Sequence, residues 1–188
     1  MGTLKFAILG LLSRKKMTGY ELTKEFETSL CEFWSAKHSQ IYPELRHLHE
    51  EGLVEYEIEI AGTSLEKKLY SITGQGQAEF TAWLEKRRRL QPTPKDEFRL
   101  QLFFSDALSP EQRTAVLQDQ LEQHRERLKH LLANREKFDG VPDTGTAGFS
   151  DYLVLMGAVM REETNCSWLE RCIELCGSAT GSPSSPED

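Results

Sequence analysis

Apolar residues recur at helical spacing along most of this chain, and they alternate strictly with polar residues in one short stretch. A first helix is predicted over residues 3–13, and Thr18 with Glu21 has the pattern of a capping box that starts a second helix. The apolar face of that second helix is expected to consist of Leu22, Phe26, Leu30 and Phe33. The third helix is predicted to end at Gly52 and to bury a stripe of Ile41, Leu45 and Leu48.

After this third helix the period of the pattern changes. In "VEYEIEI" the glutamates are expected to face outward, and the inward side chains are Val54, Tyr56, Ile58 and Ile60. "AGTS" predicts a turn and "KKLYSI" a returning strand, so the two strands form a hairpin. Thr73 then opens a fourth helix with the inward residues Phe80, Trp83 and Leu84. Three helices followed by a hairpin is the element order of a winged helix-turn-helix.

The second half of the chain is predicted to be helical. "KDEFRLQLFFSDAL" is interpreted as one apolar helix, and "SPEQ" starts the next helix with Ser109 as its N-cap. That next helix carries a heptad seam of Leu117, Leu121, His124, Leu128 and Leu131. A last helix is predicted from about Phe149 to Cys176, with a stripe of Tyr152, Leu153, Met156, Val159 and Met160.

These elements predict a mainly α fold with a small β-hairpin wing. The basic, proline-containing stretch "EKRRRLQPTP" marks a junction, so we expect a winged helix-turn-helix DNA-binding domain at residues 1–90. A C-terminal helical, coiled-coil-like dimerisation and effector domain is expected at 91–176, and a disordered tail at 177–188.

The heptad seam and the last stripe together predict a homodimer. The candidate dimerisation residues are Leu117, Leu121, His124, Leu128, Leu131, Tyr152 and Met156. His124 is interpreted as a register-setting polar residue of the seam. Packing of the last three helices within one chain is the alternative interpretation.

The third helix is the candidate reader of DNA, because it has one apolar face and one face of hydrogen-bonding groups close to its start. Gln40 has the donor and acceptor that adenine requires, Arg46 can bind guanine or a phosphate, and Tyr42 can bind a phosphate or a thymine methyl. The candidate DNA-binding residues are Lys37, His38, Ser39, Gln40, Tyr42, Pro43 and Arg46 on and beside this helix, with Lys67 and Lys68 on the wing.

Charge and motifs narrow the class of protein. The net charge is −7, but residues 1–90 hold thirteen basic and thirteen acidic residues, so the acidic excess lies in the second half. No apolar run is long enough to cross a bilayer and no secretory signal is present, which predicts a cytoplasmic protein. Catalytic, phosphate-binding and metal-binding motifs are lacking, so we expect neither an enzyme nor a cofactor.

Three segments of the chain resemble the PadR family of bacterial transcriptional regulators: "FAILGLLSRKKMTGYEL", "FWSAKHSQIYPELRHLHEEGLVE" and "KLYSITGQGQAEFTAWL". The resemblance implies a homodimeric repressor or activator that binds double-stranded DNA at an inverted repeat. It also implies that Ser39, Gln40, Tyr42, Pro43 and Arg46 lie on the recognition helix. The chain departs from the family pattern at Met17, which replaces a common proline, and in the wing, where "AGTSLEK" lacks the usual arginine.

The resemblance further implies release by a small aromatic or planar ligand. Aromatic and methionine side chains can sandwich such a ligand. The principal candidates are Trp34, Trp83, Phe98 and Trp168, and the further candidates are Phe103, Phe104, Tyr152 and Met156. The same residue types also build ordinary cores.

Two other functions remain open at this point. The balanced charge of the first half and the wing without arginine are compatible with a winged-helix module that binds proteins and not DNA. Four cysteines, Cys31, Cys166, Cys172 and Cys176, are compatible with a redox-sensing regulator, although small apolar packing residues are their commoner role.

Overall fold

The computed structural model describes residues 2–28, 30, 34, 36–61 and 65–178. The chain forms two compact units, residues 1–91 and 92–188. The first unit contains helices α1 (Thr3–Arg14), α2 (Gly19–Thr28), α3 (His38–Glu50) and α4 (Gly74–Leu84), with strands β1 (Met17–Thr18), β2 (Val54–Ala61) and β3 (Leu65–Ile72). The second contains α5 (Glu97–Phe103), a 3₁₀ turn (Ser105–Ala107), α6 (Pro110–Arg135) and α7 (Ala147–Ser178).

In the core of the first unit, the predicted apolar stripes of the helices pack against one another. Ile41, Leu45 and Leu48 are completely buried, so the predicted inner face of α3 is confirmed. They pack with residues of α1, α2 and the strands, among them Ile8, Leu9, Leu12, Leu22, Phe26 and Val54. Burial of one such side chain contributes about 1.5–3 kcal/mol, so this stripe determines which face of α3 remains outside.

Local capping fixes where α2 and α3 begin and end. The predicted capping box is confirmed: the amide of Glu21 donates to Thr18 Oγ1 (3.2 Å), and the amide of Thr18 donates to Glu21 Oε2 (2.7 Å). The Thr18 backbone donor holds the pKa of Glu21 below its ordinary value. Gly52, which follows α3, has a φ of +72° and reverses the chain in a conformation that glycine adopts readily.

The hairpin is confirmed, and within the described residues it extends to a three-stranded antiparallel sheet of order β1-β3-β2. Tyr56 lies opposite Tyr70, and Lys67 lies opposite Glu59. The prediction that Ile58 faces the core was wrong, because its side chain is 58% exposed. Alternation shows which face of a strand a residue occupies, but not how far the core extends beneath that strand. Residues 62–64 of the predicted turn and the side chain of Ile60 lie outside the described part of the chain.

Helix α4 packs against α1 through aromatic rings. Thr73 caps it by accepting from the Gly76 amide (3.1 Å), as expected. The rings of Trp83 and Phe6 stack with centroids 4.8 Å apart. Leu84, predicted to point inward, is 59% exposed, since it is the last residue of α4 and the packed face ends at Trp83.

A buried cation joins α1 to the end of α3 and to α4. The Nζ of Lys5, whose side chain is 4% exposed, donates to Glu51 (2.8 Å) and lies 2.9 Å from Glu79 Oε1. Burial alone lowers the pKa of Lys5, but the two carboxylates outweigh it, so this pKa lies above its ordinary value. The hydrogen bond from Lys5 in turn holds the pKa of Glu51 below its ordinary value of 4.5.

Replacing Lys5 by methionine is expected to make unfolding of the first unit less sensitive to acid. A carboxylate with a lowered folded pKa contributes stability that is present above its unfolded pKa and is lost as the pH falls through the folded pKa. In the variant, the hydrogen bond from Lys5 to Glu51 is absent, so protonation of Glu51 does not break it. Urea unfolding at pH 7 and pH 3.5 should therefore show a smaller difference for Lys5→Met than for the unchanged protein. Lys24→Met, which alters an exposed lysine, is the control, and an equal difference in all three proteins would contradict the prediction.

The second unit is built on two long antiparallel helices. The predicted start of α6 is confirmed, since Ser109 Oγ accepts from the Gln112 amide (3.2 Å) and Gln112 Oε1 accepts from the Ser109 amide (3.0 Å). The prediction of a single helix over "KDEFRLQLFFSDAL" was wrong, because α5 ends at Phe103 and a 3₁₀ turn follows. Arg113 of α6 donates to the Ser105 carbonyl from Nε (3.0 Å) and Nη2 (2.7 Å), which stabilises this turn.

Helix α7 covers the heptad seam of α6 within the same chain. Leu117, Leu121 and Leu131 are buried, and the first two pack with Cys166 and Leu169 of α7. The alternative of packing within one chain is thus the arrangement seen for these residues.

The last helix also reaches Ser178 and includes the first two residues of the predicted tail, since Gly177 does not have the positive φ of a helix-ending glycine. Residues 179–188 lie outside the described residues.

Candidate nucleic-acid interface

The outward face of α3 carries the predicted DNA-binding side chains. Ser39, Gln40, Pro43 and Arg46 are exposed, and Tyr42 is 42% exposed. This follows from the burial of the opposite stripe, because residues three and four positions apart share one face of a helix. Lys37 precedes α3 and is exposed. His38 is the first residue of α3, and its side chain lies outside the described part.

Gln40 already has a partner within the chain. Its Oε1 accepts from the Lys37 amide at 3.1 Å and so caps the start of α3. Bidentate pairing with adenine needs both the oxygen and the nitrogen of a glutamine side chain. To read adenine in the predicted way, Gln40 therefore has to break its hydrogen bond with the Lys37 amide and bind the base instead.

A groove of about 1240 Å³ separates the outer face of α3 from the wing. It is formed by the start of α2, by α3 and by strands β2 and β3, and four of the predicted residues line it: Tyr42, Arg46, Lys67 and Lys68. Ser39, Gln40 and Pro43 are not among its lining residues. The tertiary structure thus brings α3 and the wing to one concave surface.

The groove is basic although the chain as a whole is acidic. Among the described residues, five cationic side chains line the groove: Lys16, Lys24, Arg46, Lys67 and Lys68. Three acidic side chains line it as well: Glu21, Glu50 and Glu59. Lys16 also bonds to Glu57 across 2.8 Å, and this hydrogen bond raises the pKa of Lys16. A local excess of positive charge attracts the phosphates of nucleic acid in spite of a net charge of −7.

Sequence reasoning missed Tyr20, Lys16 and Lys24, which also line the groove. Tyr20 is the second residue of α2 and is 71% exposed. The sequence did contain a signal, since at about 100° per residue Tyr20 lies about 200° around the helix from Leu22 of the buried stripe. An aromatic residue on the outer face of the first turn of a helix was available for the same interpretation as Tyr42.

An aromatic cluster joins the end of α3 to the wing. The ring of Tyr56 lies 4.8 Å from that of His49 and 5.5 Å from that of Tyr70, centroid to centroid. The Nζ of Lys68 lies over the Tyr56 ring at 4.1 Å, which holds this cation at the groove. Burial raises the pKa of Tyr70. The wing is therefore packed onto α3.

The four principal candidates for an effector pocket fall into two separate sets. In the first unit Trp34 packs on Phe26 with centroids 5.6 Å apart, and Trp83 stacks on Phe6. In the second unit Phe98 meets Trp168 edge-on at 6.2 Å. All four are half-buried in packed clusters of their own unit. Within the described residues, these four side chains therefore do not line one common pocket inside a unit.

The remaining dimerisation candidates lie on α6 and α7. His124 Nδ1 is 2.5 Å from Oε2 of Glu162, a buried residue of α7 in the same chain. Leu128 is half-buried in the same cluster as Leu117, and Tyr152 contacts Phe138 edge-on at 5.5 Å. Met156 is 41% exposed and lies beside Leu153 (45%) and Met160 (59%). The predicted stripe of α7 is thus largely on the surface.

Two of the described cysteines, Cys166 and Cys172, lack the surroundings of reactive thiols. Burial raises the pKa of Cys166, which is buried, and of Cys172, which is half-buried. A raised pKa lowers the fraction of thiolate, the form that reacts with oxidants. Cys31 lies outside the described residues.

In the described part of the chain, no helix combines the length and the apolar character needed to span a membrane.

Comparisons with known proteins agree with this geometry. Residues 8–82 match the model of the transcriptional regulator PadR-like family, and residues 94–176 match that of the virulence activator alpha C-terminal domain. The negative transcriptional regulator PadR of Bacillus subtilis is 40% identical over 178 residues, which are 93% of this chain and 98% of the relative.

Solved structures of the same relative share the fold. The crystal structure of Bacillus subtilis PadR in complex with operator DNA has a TM-score of 0.89 at 40% identity, and covers 93% of this chain and 99% of its own. Its structure in complex with p-coumaric acid has a TM-score of 0.84 at 36% identity, over 94% and 99%. The resemblance expected from three sequence segments is thereby confirmed over nearly the whole length, and this chain belongs to the PadR-like family of transcriptional regulators.

Proposed function

We propose that this DNA-binding transcriptional regulator is a repressor that binds its operator through the groove between α3 and the wing. The observation that carries the proposal is the basic groove of an otherwise acidic chain, lined by Tyr42 and Arg46 of α3 and by the lysines of β3. Arg46 and Tyr42 meet bases or phosphates, and Lys67 and Lys68 meet phosphates. The relative that is crystallised with operator DNA supports this assignment. A DNA partner also supports the proposal that the protein acts in the cytoplasm.

The proposed repressor is a homodimer on an inverted repeat. Support comes from α7, where Leu153, Met156 and Met160 form an exposed apolar ridge at positions i, i+3 and i+7. Such a ridge is suited to the same ridge of a second copy about a two-fold axis. Two recognition helices related in this way contact half-sites one helical turn of DNA apart, about 34–36 Å, or a multiple of it.

A small planar phenolic acid is the proposed releasing ligand. The support is the complex of the Bacillus subtilis relative with p-coumaric acid, at 36% identity over nearly the whole chain. A repressor that responds to a ligand needs that ligand to favour the state that does not bind DNA. p-Coumaric acid is therefore the first compound to test as an effector.

Selection of bound sequences from random duplex DNA tests the proposal. At about 150 mM salt, where nonspecific phosphate binding is weak, an inverted repeat should be enriched. Adding p-coumaric acid should release the selected duplex. Folded, dimeric protein that enriches no sequence would contradict the proposal and would favour the interaction module, whereas an enriched repeat that p-coumaric acid leaves bound would contradict the proposed ligand alone.

A further inference from the structure

Gly19, the first residue of α2, lies directly under the ring of Tyr42 from α3. A Cβ built on Gly19 would be 2.6 Å from Cε1, 3.0 Å from Cζ and 3.1 Å from the phenolic oxygen of Tyr42. Real Cβ atoms essentially never approach another heavy atom within 3.0 Å. The phenol thus occupies the space that a side chain at position 19 would need.

The backbone of Gly19 is held in place on both sides. Before it, Thr18 pairs with Leu69 of β3 and belongs to the capping box with Glu21. After it, Thr23 Oγ1 donates to the Gly19 carbonyl at 2.9 Å. Tyr42, in contrast, is 42% exposed on the outer face of α3. A side chain added at position 19 would therefore displace the phenol and leave the start of α2 where it is.

We propose that Gly19 is a positioning residue for DNA recognition: the bare backbone at this position sets the direction in which Tyr42 presents its phenol to the groove. The proposal rests on the proposed function, in which Tyr42 contacts DNA. It does not rest on the backbone freedom of glycine, because the φ of Gly19 is one that alanine adopts without strain. What matters at this position is the absence of a Cβ.

The test is a double-mutant cycle with a matched control. Gly19→Ala and Gly74→Ala both place an alanine at the first residue of a helix in the same unit, but nothing lies within 4 Å of a Cβ at Gly74. Affinity for the selected duplex is measured by fluorescence anisotropy in the unchanged protein and in a Tyr42→Ala background. Gly19→Ala is expected to weaken binding about tenfold or more in the unchanged protein, as is usual for the loss of one specific contact, and to have no further effect in Tyr42→Ala. Gly74→Ala should bind as the unchanged protein does.

The outcomes separate the two proposals. If Tyr42→Ala binds the duplex as tightly as the unchanged protein, the proposed role of Tyr42 is wrong. If Tyr42→Ala weakens binding and Gly19→Ala does not, or if the loss from Gly19→Ala persists in the Tyr42→Ala background, the positioning role is overturned.

A second measurement needs no variant at position 19. The Hα protons of Gly19 lie against an aromatic ring, so their NMR signals should be shifted by the ring current in the unchanged protein and should return to ordinary values in Tyr42→Ala. Unshifted signals in the unchanged protein would overturn the proposed contact even if Gly19→Ala failed to fold.

Discussion

Gly76→Ala is expected to destabilise the N-terminal unit by about 3 kcal/mol, at the upper end of the usual cost of overpacking. A Cβ at Gly76 would lie 2.1 Å from the carbonyl oxygen of Leu53 and 2.9 Å from Cγ1 of Ile72. The Leu53 carbonyl cannot retreat easily, because it accepts a hydrogen bond from the Thr73 amide at 3.1 Å. The Gly76 amide in turn donates to Thr73 Oγ1 at 3.1 Å. The closest clash is therefore with a backbone carbonyl oxygen, which cannot move aside as the end of a flexible side chain could.

Chemical denaturation checks this prediction. Tryptophan fluorescence in a Trp168→Phe background reports the first unit through Trp34 and Trp83. Gly74→Ala, two residues earlier in the same helix, is the control, and open space around it predicts a change within about 1 kcal/mol. Equal stability of the Gly76→Ala and Gly74→Ala proteins would contradict the packing described at this site.

Tyr20→Ala is expected to weaken operator binding by about 1–3 kcal/mol, which corresponds to about five- to 150-fold in affinity. Tyr20 is 71% exposed and lines the groove beside Tyr42 and Lys67, so its ring is available to phosphates and base edges. The same exposure predicts that the free energy of unfolding changes by no more than about 0.5 kcal/mol. Binding and stability should therefore separate in this variant.

Two further variants make the Tyr20 experiment specific. Tyr20→Phe retains the ring and removes the hydroxyl, so it shows whether a hydrogen bond or apolar contact accounts for the effect. Val141→Ala removes an exposed apolar side chain from the other unit, outside the predicted dimerisation and effector residues, and should leave the affinity for isolated duplex unchanged. Wild-type affinity of Tyr20→Ala would mean that DNA does not reach this part of the groove.

Local features were predictable where one short segment carries the whole signal. The stripe Ile41, Leu45 and Leu48 identified the buried face of α3, and therefore its outer face as well. Thr18 and Ser109 identified helix starts, because a capping box is complete within four residues. Residue contacts between distant segments were not predictable in this way, as the break between α5 and the 3₁₀ turn shows, since it is stabilised by Arg113 from the next helix.

The candidate site was predictable in part for the same reason. Tyr42 and Arg46 followed from the polar face of α3, whereas Lys16, Tyr20 and Lys24 required knowledge of which elements border the groove. Ile58 and Leu84 were assigned to the core from their period, and both are exposed. Periodicity tells which residues share a face, but the extent of the surface that covers this face depends on another part of the chain.

By itself, the sequence determined the order of the helices and the hairpin, the buried face of α3 and the family resemblance, because each depends on residues close together along the chain. The tertiary structure alone decided that the heptad seam of α6 is covered by α7 of the same chain, and that α2, α3 and the wing form one basic groove. It also placed Tyr42 on the bare backbone of Gly19. These are contacts between residues tens of positions apart, and the relative placement of the packed elements determines them.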